Sequence, residues 1–323
     1  MQYSAGLLCA ALSIVPALAQ AQTAASFPSK PMRLIVPYPP GGGSDTIARP
    51  LVQRLGDSVK QQVVVDNRGG AGGNIGMELA AKSPPDGHTI VFALTAQLAV
   101  NPALYKKLPY DPIRDFEPIT LLATGPYILV VHPSLPVKSV NELIALARAR
   151  PGQITYASSG NGSGGHLANE LLNSMAKVKM LHIPYKGGGP ALVDLIAGNV
   201  QVLFSTWASG RPHIESGRIR ALAVSTSKRL SGVDLPTVAE VALPGYDAGV
   251  WYAFLAPAGT PKEIVSKLNT EILRAAAHPE FKALLERSAI EPIGSTPEEL
   301  RKFMKSELVK WARVVKEANV HVD

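Results

Sequence analysis

Cysteine is almost absent from this sequence. Its 323 residues include one, Cys9, in an apolar amino-terminal stretch. The rest of the chain therefore has no thiol nucleophile, no disulfide and no cysteine ligand for a metal ion. The seven histidines are dispersed, without H-E-x-x-H or any other paired ligand spacing, so no metal site is predicted.

Long apolar runs are also missing. The run Ala5–Ala19 is too short to span a bilayer and ends in small residues, which is typical of an export signal. The four residues before it include no Lys or Arg, so the usual basic start is lacking, and a disordered apolar tail is the alternative. We expect a signal peptide over residues 1–21, cleaved after Ala19 or Ala21, no lipid anchor at Cys9, and a soluble periplasmic protein.

The sequence lacks a dense basic stripe interleaved with aromatic residues. Its net charge is +7 and its pI about 9.4, but the Lys and Arg residues are scattered. This pattern argues against nucleic acid as a partner. A positive field that raises the local concentration of small acids fits the composition better.

Two strand, glycine-rich turn and helix units are the most informative stretches that are present. A short apolar strand at 32–36 leads through 37–45 into a helix, and a strand at 154–157 leads through 158–165 into a second helix. Each junction collects free backbone N–H groups at the positive end of a helix dipole, which binds an anion without a charged side chain. We predict that one small anion is held between two lobes.

Strands and helices alternate along the chain, which predicts an α/β fold with mostly parallel sheets. Two extended runs, 119–124 and 127–132, are split by Gly125-Pro126, where the chain is expected to cross between lobes. The length is enough for two domains of about 150 residues each. The expected organisation is lobe 1 at 22–124 and 246–323, lobe 2 at 125–245, and a ligand cleft between the two.

A dinucleotide site is the first alternative. Residues 160–165 match G-x-G-x-x-G between a strand and a helix. The following strand, however, ends in His182-Ile-Pro-Tyr-Lys186, without an acidic residue for a ribose hydroxyl. Gly41–Gly43 lacks the Gly-Lys-Ser/Thr of a nucleoside triphosphate loop. No cofactor is therefore expected.

A secreted serine hydrolase or transferase is the second alternative. Ser159 or Ser163 with His166 would supply the nucleophile and base, but Asn161 stands where a G-x-S-x-G elbow needs its first glycine. No third member of a triad can be identified. His166 in a first helical turn is more often a residue that orients a loop or packs, so we expect a protein that is not an enzyme.

Several long motifs, in order along the chain, resemble one family: RLIVPYPPGGGSD at 33–45, VDNRGGAGGNIG at 65–76, YASSGNGSGGH at 156–166, IPYKG at 183–187 and FLAPAGTP at 254–261. They are similar to the Bug-type, TctC-like extracytoplasmic solute receptors of tripartite tricarboxylate transporters. The resemblance covers nearly the whole chain after the signal.

The resemblance implies a two-lobed type II periplasmic-binding-protein fold that holds a ligand carboxylate with amides, hydroxyls and waters from two loops, which correspond to 38–45 and 158–166. It also implies a monomer that delivers its ligand to membrane permease subunits, or informs a sensor kinase. Relatives often have Phe-Asp where this chain has Phe204-Ser205, so an amino acid ligand is disfavoured. A plain, aromatic, di- or tricarboxylic acid is expected.

Aromatic residues at strand and loop ends are expected to form walls of the pocket, and Trp207 and Trp251 favour a flat ring. The residues expected to contact the ligand are Tyr38, Pro40, Gly41, Gly42, Gly43, Ser44, Asp45, Thr95, Ala96, Ser158, Ser159, Gly160, Asn161, Gly162, Ser163, Gly164, His166, Tyr185, Ser205, Thr206, Trp207 and Trp251.

Overall fold

The strands of a computed structural model, which describes residues 26–230 and 233–317, form one ten-stranded sheet. The signal peptide expected over residues 1–21 lies outside the described residues. Within them, no helix is both long enough and apolar enough to cross a membrane.

The strands are β1 (Met32–Val36), β2 (Val63–Asn67), β3 (Thr89–Leu94), β4 (Phe116–Val131), β5 (Thr155–Ser158), β6 (Leu181–Pro184), β7 (Val202–Thr206), β8 (Arg220–Val224), β9 (Gly249–Pro257) and β10 (Glu291–Pro292). The α-helices are α1 (Gly43–Val59), α2 (Asn74–Ala81), α3 (Asn101–Leu104), α4 (Val140–Ala149), α5 (Gly164–Ala176), α6 (Gly188–Ile196), α7 (Trp207–Glu215), α8 (Val238–Val241), α9 (Lys262–Ala276), α10 (Pro279–Arg287) and α11 (Pro297–Glu317).

The strands fall into two groups that share β4. In the first strand group, β1 pairs in parallel with β2 and β3, and β9 joins β3 to β4 by antiparallel pairing. In the second strand group, β5 pairs in parallel with β6 and β7, while β7 and β8 lie antiparallel to β4. The predicted α/β fold is confirmed, with parallel pairing among β1, β2 and β3 and among β5, β6 and β7, and antiparallel pairing wherever β4 or β9 takes part.

Strand β4 is continuous, and the predicted interruption at Gly125-Pro126 is wrong. Both residues stay in the ladder, opposite Val250 and Gly249. The strand survives a proline because tertiary pairing supplies neighbours on either side of this point, and that pairing overrides a weak local preference. From Tyr127 onward β4 pairs with β7 instead of β9. This change of partner supports, as a proposal, a lobe boundary near residues 124–125.

The helices cover the sheet with the apolar stripes that their spacing predicts. In α9, Leu268 and Ile272 are fully buried, and in α11 Leu300, Met304 and Trp311 are buried as well. These residues belong to the core rather than to a cofactor site, as predicted. Parallel strands of each group end at the same edge as their neighbours, so the loops that follow β1, β5, β6 and β7 come together.

Candidate functional site

A cavity of about 230 Å³ lies where the two strand groups meet. Its walls are mostly backbone and small or aromatic side chains, and among the described residues that line it Lys186 is the one with a formal charge. The lining residues are Tyr38, Pro39, Pro40, Gly41, Gly42, Gly43, Ser44, Leu94, Tyr127, Ser159, Gly164, Gly165, Lys186, Gly187, Gly188, Gly189, Pro190, Leu203, Phe204, Ser205, Thr206, Ser209 and Tyr252.

The starts of four helices lie at this cavity: the first residues of α1, α5 and α6, and in α7 the preceding residue Thr206 and the third residue Ser209. No side chain caps the start of α1, α6 or α7. In α5 the cap, Ser163, serves the third N–H group of the helix, at His166, and not those of Gly164 and Gly165. The first backbone N–H groups of these helices are therefore free to bind an anion, and the helix dipoles add to the attraction.

Asp45 shapes the loop before α1 from outside the cavity. Its carboxylate accepts hydrogen bonds from the backbone N–H of Gly41 at 3.0 Å, from Arg49 at 2.8 Å and from Asn67 at 3.0 Å. Burial alone would raise the pKa of Asp45, but these hydrogen bonds outweigh it and hold the pKa below its ordinary value. The negative charge is thus paired with Arg49, and the side chain does not line the cavity.

His166 holds the loop before α5. Its Nδ1 accepts the backbone N–H of Gly162 at 3.1 Å, and its ring stacks on His182 with centroids 4.0 Å apart. His182 in turn contacts the hydroxyl of Ser158 at 2.7 Å. Burial lowers the pKa of His166 to about 3, with a further contribution from His182, whose own pKa burial lowers to about 4. Both rings are neutral near pH 7.

This arrangement does not form a nucleophile and base. The Ser163 hydroxyl accepts the backbone N–H of His166 at 3.4 Å, as a helix cap does. The Nδ1 of His166 already accepts the backbone N–H of Gly162, and the imidazole ring stacks on His182. Ser159 lines the cavity, but no hydrogen bond joins it to His166 within the described residues. The hydrolase alternative therefore gains no support from the geometry.

Three tyrosine residues line the cavity. Tyr38 precedes the α1 loop, Tyr127 comes from β4 and Tyr252 from β9. The hydroxyl of Tyr38 accepts a hydrogen bond from Gln97 at 2.9 Å. Burial raises the pKa of Tyr38 to about 12 and the pKa values of Tyr127 and Tyr252 further, so all three phenols stay protonated and can donate to an acceptor.

Residues that end or follow strands of the two groups approach each other closely near the cavity. A methyl group placed on Gly43 would lie 3.0 Å from the hydroxyl oxygen of Thr206. On another side, the Tyr105 hydroxyl donates to the backbone carbonyl of Asn161 at 3.4 Å. These contacts join residues of the first strand group to loops of the second, so they depend on how closely the two groups approach each other.

The structure brings part of the predicted site together. Of the predicted residues, those that line the cavity are Tyr38, Pro40, Gly41, Gly42, Gly43, Ser44, Ser159, Gly164, Ser205 and Thr206. Those that do not line it are Asp45, Thr95, Ala96, Ser158, Gly160, Asn161, Gly162, Ser163, His166, Tyr185, Trp207 and Trp251. In the second set, Asp45 and His166 hydrogen-bond to the two loops from outside the cavity, and the hydroxyl of Thr95 accepts the backbone N–H of Trp251 in β9 at 2.9 Å.

The sequence predicts that Trp251 forms a wall of the cavity, but the structure places its neighbour Tyr252 there instead. The indole of Trp251 is buried and donates to Glu307 at 3.0 Å, away from the cavity, while its neighbour Tyr252 lines the cavity. Successive residues of a strand point to opposite faces, so one of the two had to face away. Lys186 and the glycines after it were also missed, although the glycine-rich turn at 185–190 is visible in the sequence.

Comparison with known proteins identifies the family. Residues 47–320 match the sequence profile described as "Tripartite tricarboxylate transporter family receptor". The chain belongs to this receptor family. It is similar to the protein BugT of Bordetella pertussis, with 40% identity over 300 residues that cover 91% of each chain. Members of the TctC and Bug group are periplasmic solute receptors rather than enzymes.

Solved structures with 31–38% identity share the fold. The structure described as "R. palustris Rpa4515 with adipate" has 38% identity and a TM-score of 0.88, covering 91% of this chain and 99% of the other. The structure described as "MatC (Rpa3494) from Rhodopseudomonas palustris with bound malate" has 31% identity and a TM-score of 0.85, covering 90% and 100%. The chain therefore has the two-lobed type II fold of a periplasmic binding protein.

Proposed function

We propose that this receptor captures a small organic carboxylate in the periplasm and presents it to the membrane permease of a tripartite transporter. The observation that carries the proposal is the convergence of four uncapped or partly capped helix starts on a cavity without acidic lining among the described residues. Such a site favours an anion and offers no carboxylate for a ligand amine. A plain acid therefore fits better than an amino acid.

Binding replaces the water around the carboxylate by fixed protein donors. The free N–H groups at α1 and α5 and the hydroxyls of Ser44 and Ser159 are the proposed contacts. A hydrogen bond to a charged group contributes roughly 1.5–3 kcal/mol, so a few of them suffice for micromolar affinity. The loops belong to different strand groups, so a ligand that contacts both shifts the population towards the closed form.

A dicarboxylate is the ligand class that the cavity supports best. The starts of α6 and α7 provide free N–H groups apart from those of α1 and α5, and Lys186 adds a positive charge beside α6. A second carboxylate would be stabilised there. Leu203 and Phe204 offer apolar surface for the carbon chain. Relatives solved with adipate and with malate are consistent with this class.

A thermal-shift screen tests the proposal. The purified mature chain is mixed with adipate, malate, citrate, benzoate, hexanoate and aspartate, and each positive result is followed by calorimetry. A ligand that binds the folded state alone raises the melting temperature. We expect adipate or malate to give the largest shift and aspartate the smallest. A chain that responds to aspartate alone, or to none of these acids, would contradict the proposal.

Lys186→Gln separates the two ends of the ligand. The substitution removes the charge at α6 and should weaken adipate binding. The affinity for hexanoate, which has one carboxylate, should not change.

A chromogenic ester assay on the receptor should show no turnover, since Ser163 and His166 are not arranged for catalysis. Delivery to a sensor kinase instead of a permease would leave these binding results unaltered.

A further inference from the structure

Two tyrosine hydroxyls that line the cavity have no hydrogen-bond partner among the described residues. Tyr127 is 9% exposed and Tyr252 is 1% exposed, and both line the cavity. Within residues 26–230 and 233–317, no group hydrogen-bonds to the hydroxyl oxygen of either residue. Neither hydroxyl oxygen is fully enclosed by protein, so both are open to the cavity, where an acceptor on a ligand can reach them.

Both rings are held firmly in place. Tyr252 stacks on Phe92 with ring centroids 5.7 Å apart and an interplanar angle of 10°. The Oη of Tyr127 lies against Gly164, the first residue of α5, so closely that a methyl group at that glycine would overlap it. The glycine is thus required for the hydroxyl to reach the start of the helix, which argues that its position is a built feature and not a loose end.

We propose that Tyr127 and Tyr252 donate hydrogen bonds to the same ligand carboxylate that the starts of α1 and α5 hold. This inference rests on the proposed function and adds two side-chain donors to the backbone donors. The position of Tyr127 Oη at the start of α5 places it beside the free N–H groups of Gly164 and Gly165. Tyr38, whose hydroxyl already accepts from Gln97, has its own hydrogen left to complete the set.

The chemistry of the phenols suits this role. Burial raises the pKa values of Tyr127 and Tyr252 well above the ordinary value for tyrosine. The nearby Tyr38 raises both pKa values further, because a negative charge on it would repel a second one. Both phenols are therefore protonated near pH 7 and can donate a hydrogen bond. A hydrogen bond from a neutral O–H to a buried carboxylate is short and strong.

The test uses Tyr127→Phe, Tyr252→Phe and the double variant in the mature chain. Each change removes one O–H group and keeps the ring. Calorimetry with adipate and with malate should show affinity at least 10-fold weaker in each single variant and weaker still in the double variant. The melting temperature without acid should stay the same or rise, because the hydroxyl that is removed makes no hydrogen bond within the protein.

Tyr246→Phe is the matched control. Its hydroxyl is buried but donates to the carbonyl of Ala168 at 2.7 Å, so this variant should lose stability and keep the wild-type affinity. Wild-type affinity in the Tyr127 and Tyr252 variants, when the wild type binds, would overturn this inference alone. A lower melting temperature of both variants without acid would also overturn it. A wild type that binds none of the screened acids would overturn the proposed function and this inference together.

Discussion

The imidazole Nδ1 of His166 accepts the backbone N–H of Gly162 at 3.1 Å. Gly162 has a φ of +75°, in the left-handed region, and lies at the tip of the loop before α5. The hydrogen bond connects that tip to the first turn of the helix, and the stacked ring of His182 keeps the imidazole in position. His166 thus orients the loop from behind, which is the role that the sequence favoured over that of a catalytic base.

Replacing His166 with Leu should destabilise the protein and weaken ligand binding. The N–H of Gly162 would lose its acceptor, and an unsatisfied buried group costs about 1–3 kcal/mol. Chemical denaturation measures the free energy of unfolding, and calorimetry with adipate measures the affinity. His166→Asn keeps an acceptor and should recover part of both losses. An unchanged free energy of unfolding in His166→Leu would contradict this account.

The buried histidine pair should make stability depend on pH. The folded pKa values, about 3 for His166 and about 4 for His182, lie below the ordinary value of 6.5. Between these limits the unfolded chain binds more protons than the folded one, so stability is lost as the pH falls below 6.5. Each histidine that is protonated in the unfolded chain and neutral in the folded one contributes a slope of about 1.4 kcal/mol per pH unit.

His182→Phe isolates this effect because it keeps an aromatic ring in the stack. The difference in free energy of unfolding between wild type and variant should shift in favour of the variant as the pH is lowered from 7 to 5. Glu170, whose pKa burial raises, contributes to both proteins and cancels in the difference. A difference that does not change with pH would refute the assignment.

A side chain at Gly162 should prevent the loop before α5 from packing against α3. A methyl group there would lie 2.7 Å from Leu104 Cδ2 and 3.0 Å from Asn101 Oδ1. We expect Gly162→Ala to lower adipate affinity at least 10-fold in calorimetry. The control is Gly217→Ala, which has a similar φ of +70° but no atom within 4 Å of the added methyl. Both variants suffer backbone strain of about 1–2 kcal/mol, so equal affinities would exclude the steric explanation.

Trp251→Phe should reduce stability without changing affinity. The Oε2 atom of Glu307 accepts the indole N–H groups of both Trp251 and Trp311 at 3.0 Å, and this bridge ties β9 to α11. Loss of one donor to a buried carboxylate should cost about 1–3 kcal/mol in thermal or chemical unfolding. Glu307→Gln, which keeps an acceptor, should be milder than Glu307→Leu. Weakened adipate binding in Trp251→Phe would return this residue to the ligand site.

The local parts of the fold and the site could be predicted from the sequence. The loops at 38–45 and 158–166 both lie at the cavity or directly behind it because a strand, a glycine-rich turn and a helix start are all encoded in neighbouring residues. The core stripes of α9 and α11 were predicted for the same reason. Family membership followed from long motifs in the expected order and is confirmed by the profile match.

The parts that depend on pairing between distant strands could not be predicted. Which of Trp251 and Tyr252 faces the cavity is set by the register of β9 against β3 and β4, and a single sequence does not reveal it. Lys186 joins the site because β6 and β7 lie on either side of β5, so the turns after them converge. The continuity of β4 through Pro126 likewise depends on neighbours far along the chain.

The free N–H groups at the starts of α1 and α5 belong to the peptide backbone, and ordinary substitutions do not remove them. The proposed hydrogen bonds to a ligand carboxylate can thus persist when side chains around the cavity change. Substitutions at Lys186 or Ser209 can then alter which acid is bound without removing the backbone N–H donors. A change of ligand preference on this scaffold can therefore come from side-chain substitutions alone, while the backbone donors stay in place.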